Sequence, residues 1–292
     1  RGVSAVYMLL TDNPTGPDSM RIMLFLQNSI LFILSPVIAQ HFLWEAPFKE
    51  ALQFRSPHLR IVLLGCLTIM VSSPFVDILN TWNQGLHLPE SLHSIEQWMI
   101  ESERQAEVLT QQILNVSTWQ GFIMNILVVA ILAGVGEELL FRGVLQKIFI
   151  RWTGNIHAGI LITAIIFSAI HLQFFGFIPR FVLGALLGYL FVWSRNLWVP
   201  IIAHALNNAL VVIFTPNTFN EGNSIIQAVE HTDNSTGFAI TSIILTAICL
   251  YGMRNTIYLP PTENLSAARR NYAQILFTYN LILRKLFRRT LE

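Results

Sequence analysis

The sequence predicts an all-α, polytopic integral membrane protein, with about seven to eight transmembrane helices around an intramembrane polar cavity. Composition is the first observation: 53% of the 292 residues are hydrophobic and only 12% charged, whereas a soluble domain carries about 25% charge. Apolar runs long enough to cross a bilayer are the second. The third is a set of ionisable side chains inside those runs, where charge is costly and marks function by default. The formal net charge of +1 gives no reason to expect a nucleic-acid or acidic ligand.

A spanning helix needs about 20 apolar residues, fewer if it is short and buried. Met20–Phe42 is the first candidate, with Pro36 as its expected kink. Leu59–Leu79, Trp119–Ile150, Ile156–Leu172, Phe177–Trp193, Leu197–Phe214 and Phe238–Met253 follow. Pro200 falls in the first turn of the sixth, where proline is tolerated. Trp44, Trp82, Trp119, Trp152, Trp193 and Trp198 fall near helix ends, where an interfacial aromatic belt belongs. Cys66 and Cys249 lie in apolar runs and read as packing thiols, not a disulfide. A first spanning helix suffices to direct insertion, so no signal peptide is needed.

Lys and Arg set the orientation. Lys49, Arg55 and Arg60, then Lys147 and Arg151, then Arg195, then the Arg-rich tail mark alternate connections, while the intervening ones are rich in Glu. The positive-inside rule places the 43–58 connection and the C-terminus in the cytoplasm, in what we expect to be a bacterial cytoplasmic (inner) membrane. Seven spans counted back from there leave Arg1 outside.

Two segments read as interfacial. Pro89–Leu114 carries a helical stripe of Leu92, Ile95, Met99, Ala106, Leu109 and Ile113 opposite an acidic, amide-rich face. It reads as a helix over the outer face, capping a cavity or serving only as a packing connection. After Pro260-Pro261, Glu263–Leu291 combines apolar residues with six Arg or Lys side chains, a basic amphipathic helix for an anionic leaflet or a protein partner. The expected organisation is therefore 1–119, N-terminal spans plus the amphipathic segment; 120–255, a membrane core; and 256–292, the basic cytoplasmic helix.

The chemistry-bearing stretch is Gly136-Glu137-Glu138-Leu139-Leu140-Phe141-Arg142-Gly143. Successive helical residues are about 100° apart, so the two glutamates cannot share a face. Glu138 and Arg142 share one at i, i+4 and can neutralise each other. Glu137 is left without an in-helix cation, as suits a base that takes a proton from water. Gly134, Gly136 and Gly143 allow close approach of neighbours. Phe167 and His171 share a face of the fourth span, and His204 and Asn208 a face of the sixth. Asn207 points about 100° away and reads as a packing or outer residue. One carboxylate, two imidazoles and an amide on three spans suit attack of water on a peptide carbonyl. The same side chains could instead lock helices as a structural charge cluster, relay protons in a transporter, or bind zinc through Glu137, His171 and His204. There is no His-Glu-x-x-His and no Gly-x-Ser-x-Gly. In strict alternation His171 and His204 lie toward opposite membrane faces, so convergence requires short, tilted or broken helices.

In combination, Glu137-Glu138-x-x-x-Arg142, Phe167-x-x-x-His171 and His204-x-x-x-Asn208 resemble the CPBP (CAAX protease and bacteriocin-processing, or Abi) family, which includes the type II CAAX prenyl endopeptidases. The resemblance covers roughly residues 120–215. It implies an intramembrane glutamic endopeptidase without metal or organic cofactor, in which Glu137 activates water with help from His171. His204 and Asn208 would form the oxyanion hole, with Glu138, Arg142 and Phe167 in support. The partners it implies are a peptide or protein substrate and the bilayer. A non-catalytic immunity or scaffold protein that binds a peptide through the same cavity is the competing expectation.

Overall fold

The computed structural model describes residues 16–44, 46–116, 118–215 and 235–258, and among them helices alternate with turns and short links, without strands. The chain divides into two compact units, Arg1–Met253 and Arg254–Glu292. The basic helix expected over 256–292 lies almost wholly outside the described residues, as do Glu221, Glu230 and Asp233.

The described part contains nine longer or α-helical segments, α1, Pro17–Leu43; α2, Phe48–Ala51; α3, Leu59–Gln84; α4, His93–Leu114; α5, Trp119–Thr153; α6, Ile156–Ala169; α7, Phe177–Ser194; α8, Trp198–Phe214; and α9, Ser235–Tyr258, with short 3-10 turns at Glu90–Leu92 and Phe174–Gly176. Among the described residues, five segments are long and apolar enough to cross a membrane: Pro17–Leu43, Leu59–Gln84, Trp119–Thr153, Phe174–Ser194 and Gly237–Asn255. The shorter apolar α6 and α8 complete the seven expected spans. Both cysteines are free. Trp82, Trp119 and Trp152 stand exposed at helix ends, as an interfacial belt requires.

α1 contains a π-helical stretch, Asn28–Leu34, and turns α-helical again at Ser35 with Pro36 in that first turn. A second proline, Pro74, lies inside α3. It removes an N–H and crowds the preceding turn. Here a side chain from another helix repairs the ladder. In an uninterrupted helix the Phe75 N–H would meet the Val71 carbonyl. Instead the Ser242 hydroxyl of α9 donates to the Val71 carbonyl at 2.6 Å and accepts from the Phe75 N–H at 3.2 Å. Where no water can substitute, such repair is a condition of folding.

Four connections position the site. Asn83, near the end of α3, donates to the Phe174 carbonyl and accepts from the Ile178 N–H, at 2.9 and 3.2 Å, fixing the entry to α7. Arg21 of α1 donates to Asn125 of α5 at 2.8 Å and to the Ile113 carbonyl at 3.1 Å, tying α1, α4 and α5 at one end. Lys147 of α5 donates to the Ala51 carbonyl at 2.5 Å and lies over the Phe191 ring, holding the α1–α3 link beneath the core. Leu52 from that link packs with Leu139, Val144, Phe191, Leu197 and Ile201. The expected close approaches are real: a Cβ on Gly134 would sit 3.0 Å from the Ala205 nitrogen, and one on Gly136 would sit 2.8 Å from Phe32 Cβ.

The 89–114 segment is helical as expected, but its buried side differs from the apolar stripe. Leu92, Ile95 and Leu109 are exposed, whereas Met99, Glu103, Ala106 and Ile113 are half-buried. Polar anchors set this rotation: the Glu103 carboxylate accepts from the Phe175 N–H at 3.3 Å, and the Trp98 and Phe174 rings pack at 5.0 Å. On its exposed face Arg104 and Gln105 hold the Glu101 carboxyl down to about 2, so that face stays charged.

Replacing Ser242 with Ala is expected to strand the Val71 carbonyl and the Phe75 N–H and to cost about 1–3 kcal/mol. Unfolding midpoints of the purified protein in detergent check this. A variant as stable as the parent would show that the hydroxyl repairs nothing.

Candidate active site

The site is built on α5. Two π-helical turns, Ile126–Leu132 and Leu139–Leu145, flank the short α-helical piece Ala133–Glu138 that carries both glutamates. In such a turn the N–H groups reach back five residues, and single π turns recur at functional sites. The Ala133 N–H goes to the carbonyls of Val128 and Ala130, passing over Val129. The Val129 carbonyl instead accepts from Asn208 Nδ2 at 3.3 Å.

Helical spacing separates the two glutamates as the sequence requires. Glu138 and Arg142 are both fully buried and meet at 2.5 Å. Arg142 also donates to the Gly184 carbonyl at 2.8 Å. One turn further on, Gln146 donates to the Gly188 carbonyl at 3.1 Å, so two side chains of α5 climb two glycine carbonyls of α7. A Cβ on Gly188 would lie 2.8 Å from Gln146 Oε1. Helical spacing around Glu137 does not single out Gln146. The signal for it is the matched i, i+4 spacing of Arg142 with Gln146 and of Gly184 with Gly188.

His204 is 3% exposed and lies between the glutamates. Its Nδ1 is 2.8 Å from Glu138 Oε1 and its Nε2 is 3.7 Å from Glu137 Oε2. A carboxylate paired with Arg142 only accepts, so Nδ1 carries the hydrogen and Nε2 is the nitrogen turned to Glu137. Glu138 thus has a second partner beyond the in-helix one that spacing reveals.

Phe167 fills the centre. Its ring lies under the Arg142 guanidinium at 5.0 Å and meets the His171 and His204 rings at 5.2 and 5.8 Å. The fourth span ends sooner than Leu172. α6 stops at Ala169, and Leu172 adopts a left-handed φ of 53°. His171 still reaches back to Phe167, because its Nδ1 bonds the Phe167 carbonyl at 2.8 Å and satisfies a last-turn acceptor. A carbonyl only accepts, so Nδ1 is again the donor and Nε2 is free to accept. Asn207 Nδ2 donates to Asn208 Oδ1 at 3.4 Å, which orients the Asn208 amide. Ser168, beside His171 in sequence, is buried and donates to the Phe177 carbonyl at 2.7 Å.

Glu137, His171 and Asn208 line one cavity of about 460 Å³. Asn28 from the π-helical stretch of α1 and Thr110 and Ile113 from α4 complete its walls, so the amphipathic segment does border a cavity. Short α6 and α8 and the broken α5 supply the convergence that regular spans could not. Among the described residues, no three His, Cys, Asp or Glu side chains are grouped to hold a metal ion.

Residues 119–210 match the family described as type II CAAX prenyl endopeptidase Rce1-like. YdiL of Bacillus subtilis (strain 168), whose name marks it as a candidate membrane peptidase, is 32% identical over 120 residues, 41% of this chain and 48% of its own. YpbD of the same organism, uncharacterized, is 34% identical over 92 residues, 30% of this chain and 44% of its own. The chain thus spans about half the length of these two relatives. The membrane-embedded CAAX protease MroQ of Staphylococcus aureus (strain USA300) is 29% identical over 196 residues, 63% of this chain and 71% of its own. No solved structure gives a significant match.

Arg142→Met is expected to leave Glu138 as a buried charge without its cation, at a cost of about 3–5 kcal/mol. Adding Glu138→Gln to it should restore part of the loss. Unfolding in detergent of the two single variants and the double variant measures the coupling; strict additivity would contradict the pairing. Residues 119–210, which hold every residue of the constellation, are thus similar to the Rce1-like type II CAAX prenyl endopeptidases.

Proposed function

We propose that the chain is an intramembrane endopeptidase that hydrolyses a peptide bond of a membrane-associated protein or peptide with water activated by Glu137. One observation carries the reading: Glu137, His171 and Asn208 share one cavity while His204 Nε2 stands 3.7 Å from Glu137. Glu137 takes a proton from water as its oxygen attacks the carbonyl carbon, and His171 Nε2 accepts the other water hydrogen. The negative charge that develops on the carbonyl oxygen meets the second Asn208 Nδ2 hydrogen and His204 Nε2–H. Glu138 holds His204 at Nδ1 and so fixes the direction of Nε2, as a carboxylate orients histidine in a catalytic triad. Collapse of the tetrahedral intermediate breaks the C–N bond, and the amine leaves with the proton held by Glu137. The reaction so written uses no metal.

The sequence match supports this reading, since the matched residues 119–210 contain all seven motif positions. We place the protein in the bacterial cytoplasmic membrane with its C-terminus inside, from the distribution of Lys and Arg.

Glu137→Gln is expected to lower kcat on a cleavable peptide by about 10²–10⁴-fold with the fold retained. Asn208→Ala should lower it by about 10²–10³-fold. A peptide-library digest with purified protein, compared with each variant, reads both. Equal cleavage by wild type and Glu137→Gln would end the mechanism. Exhaustive chelation should leave the wild-type rate unchanged; loss of activity restored by zinc would replace the water-activating role of Glu137 with a metal site.

A further inference from the structure

Side chains of α8 line two cavities at consecutive residues. Asn207 lines one of about 230 Å³ with Ser72, Asn80 and Arg180, and Glu137 is not among its walls. Asn208 lines the larger one with Glu137. The larger cavity also holds an amide that the hydrolytic chemistry leaves idle, that of Asn28 on α1.

Six amide side chains are buried among the described residues. Five donate to a main-chain carbonyl elsewhere in the chain, as Asn83 does to Phe174 and Asn125 to Ile113. Asn28 is the sixth. It is 5% exposed, and among the described residues its amide has no hydrogen-bond partner. A buried polar group left unbonded is costly and calls for an explanation. Glu138 Oε2, Arg142 Nε and Gln146 Oε1 also lack partners, but they are sealed from any space that a ligand could enter. The Asn28 amide is not sealed, and Asn28 lines the cavity between Leu24 and Phe32, four residues away on either side.

α1 is fixed against the glutamates at this point. A Cβ on Gly136 would lie 2.8 Å from Phe32 Cβ and 3.5 Å from the Asn28 carbonyl oxygen, so Asn28 borders the residue next to Glu137. The π-helical stretch of α1 also begins at Asn28, and such turns recur at functional sites. The remaining walls are mainly apolar, so a peptide group that enters loses its water. An amide side chain offers a donor and an acceptor together. They complement the N–H and C=O that one residue of an extended chain turns to one side.

We propose that Asn28 binds the main chain of the substrate, taking the N–H and C=O of one residue that flanks the scissile bond. The inference rests on the peptidase reading and deepens it. Asn28 does for the substrate what the other five buried amides do for the protein's own backbone. The substrate is then an extended segment, because in a helix the same groups are already bonded to each other. Asn28 is a positioning residue, and it lies outside the stretch 119–210 that holds the hydrolytic groups.

The test takes the peptide of a fluorescein-labelled library that the full chain carrying Glu137→Gln binds best in detergent. Its peptide bonds are replaced one at a time by esters, each of which removes one N–H, and fluorescence anisotropy reads the affinity. A single ester, beside the bond that wild type cuts, should weaken binding about 2-fold to 12-fold, the range of a neutral hydrogen bond. Adding Asn28→Leu should weaken the all-amide peptide and remove the penalty of that ester, leaving the other esters as they were. Asn28→Ala serves the same comparison if that variant does not fold. With Glu137 intact, Asn28→Leu should raise KM with little change in kcat, since the contact is made before and during reaction alike. No ester penalty at any bond overturns the proposal. So does a penalty that persists without the Asn28 amide, or an equal loss on every peptide, which marks a packing role. Position-selective binding that depends on Asn28, without cleavage by wild type, keeps the main-chain contact and defeats the peptidase reading instead. Absence of binding across the library overturns both.

Discussion

The buried pair of Glu138 and Arg142, with His204 on the same carboxylate oxygen, is the interaction on which the rest of the site depends. At zero exposure neither charge has water to solvate it. An uncompensated ion there costs several kcal/mol, more than any single apolar contact nearby contributes. Further contacts offset part of that cost: Arg142 reaches the Gly184 carbonyl and spreads over Phe167, and His204 meets Glu138, while Glu138 Oε2 and Arg142 Nε stay buried without a hydrogen-bond partner. Those contacts join α5, α6, α7 and α8. The ion pair is therefore the joint that brings Phe167, His171 and His204 into one place. Glu137, one residue away and 14% exposed, owes its freedom to that arrangement.

The spans and the side chains that gather around Glu137 were largely legible in the sequence, because both obey local rules. Apolar length marks the helices, and i, i+4 spacing marks Glu138 with Arg142. What escaped was non-local or depended on backbone irregularity. Ser242 mending α3 beside Pro74 involves residues 171 and 167 positions apart. The two-faced role of His204 and the early end of α6 at Ala169 follow from hydrogen bonds that no periodicity encodes. The rotation of α4 away from its apolar stripe comes from Glu103 and Trp98 finding partners on the 174–176 turn. Apolar moments mislead near a membrane, where exposed leucine carries no penalty.

Chemistry and surroundings come from different parts of the chain. Every residue assigned a role around Glu137 falls in 119–210, the stretch shared with known relatives. The walls come largely from elsewhere: Asn28 of α1 and Thr110 of α4 in one cavity, Ser72 and Asn80 of α3 in the other. The constellation and the walls that would select what enters it are thus encoded in different stretches, and function is carried by the site more than by the fold.

The π-helical turns in α5 have a consequence for its length. A π turn is equivalent to one residue inserted into an α-helix, and each residue carries about 100° of rotation. Two such insertions, Ile126–Leu132 before Glu137 and Leu139–Leu145 after it, bracket the glutamates. Deleting a single residue from the first would swing Glu137 off the cavity even though every motif stayed intact. The presentation of Glu137 to the cavity therefore depends on the length of α5 as much as on the residues of its motif.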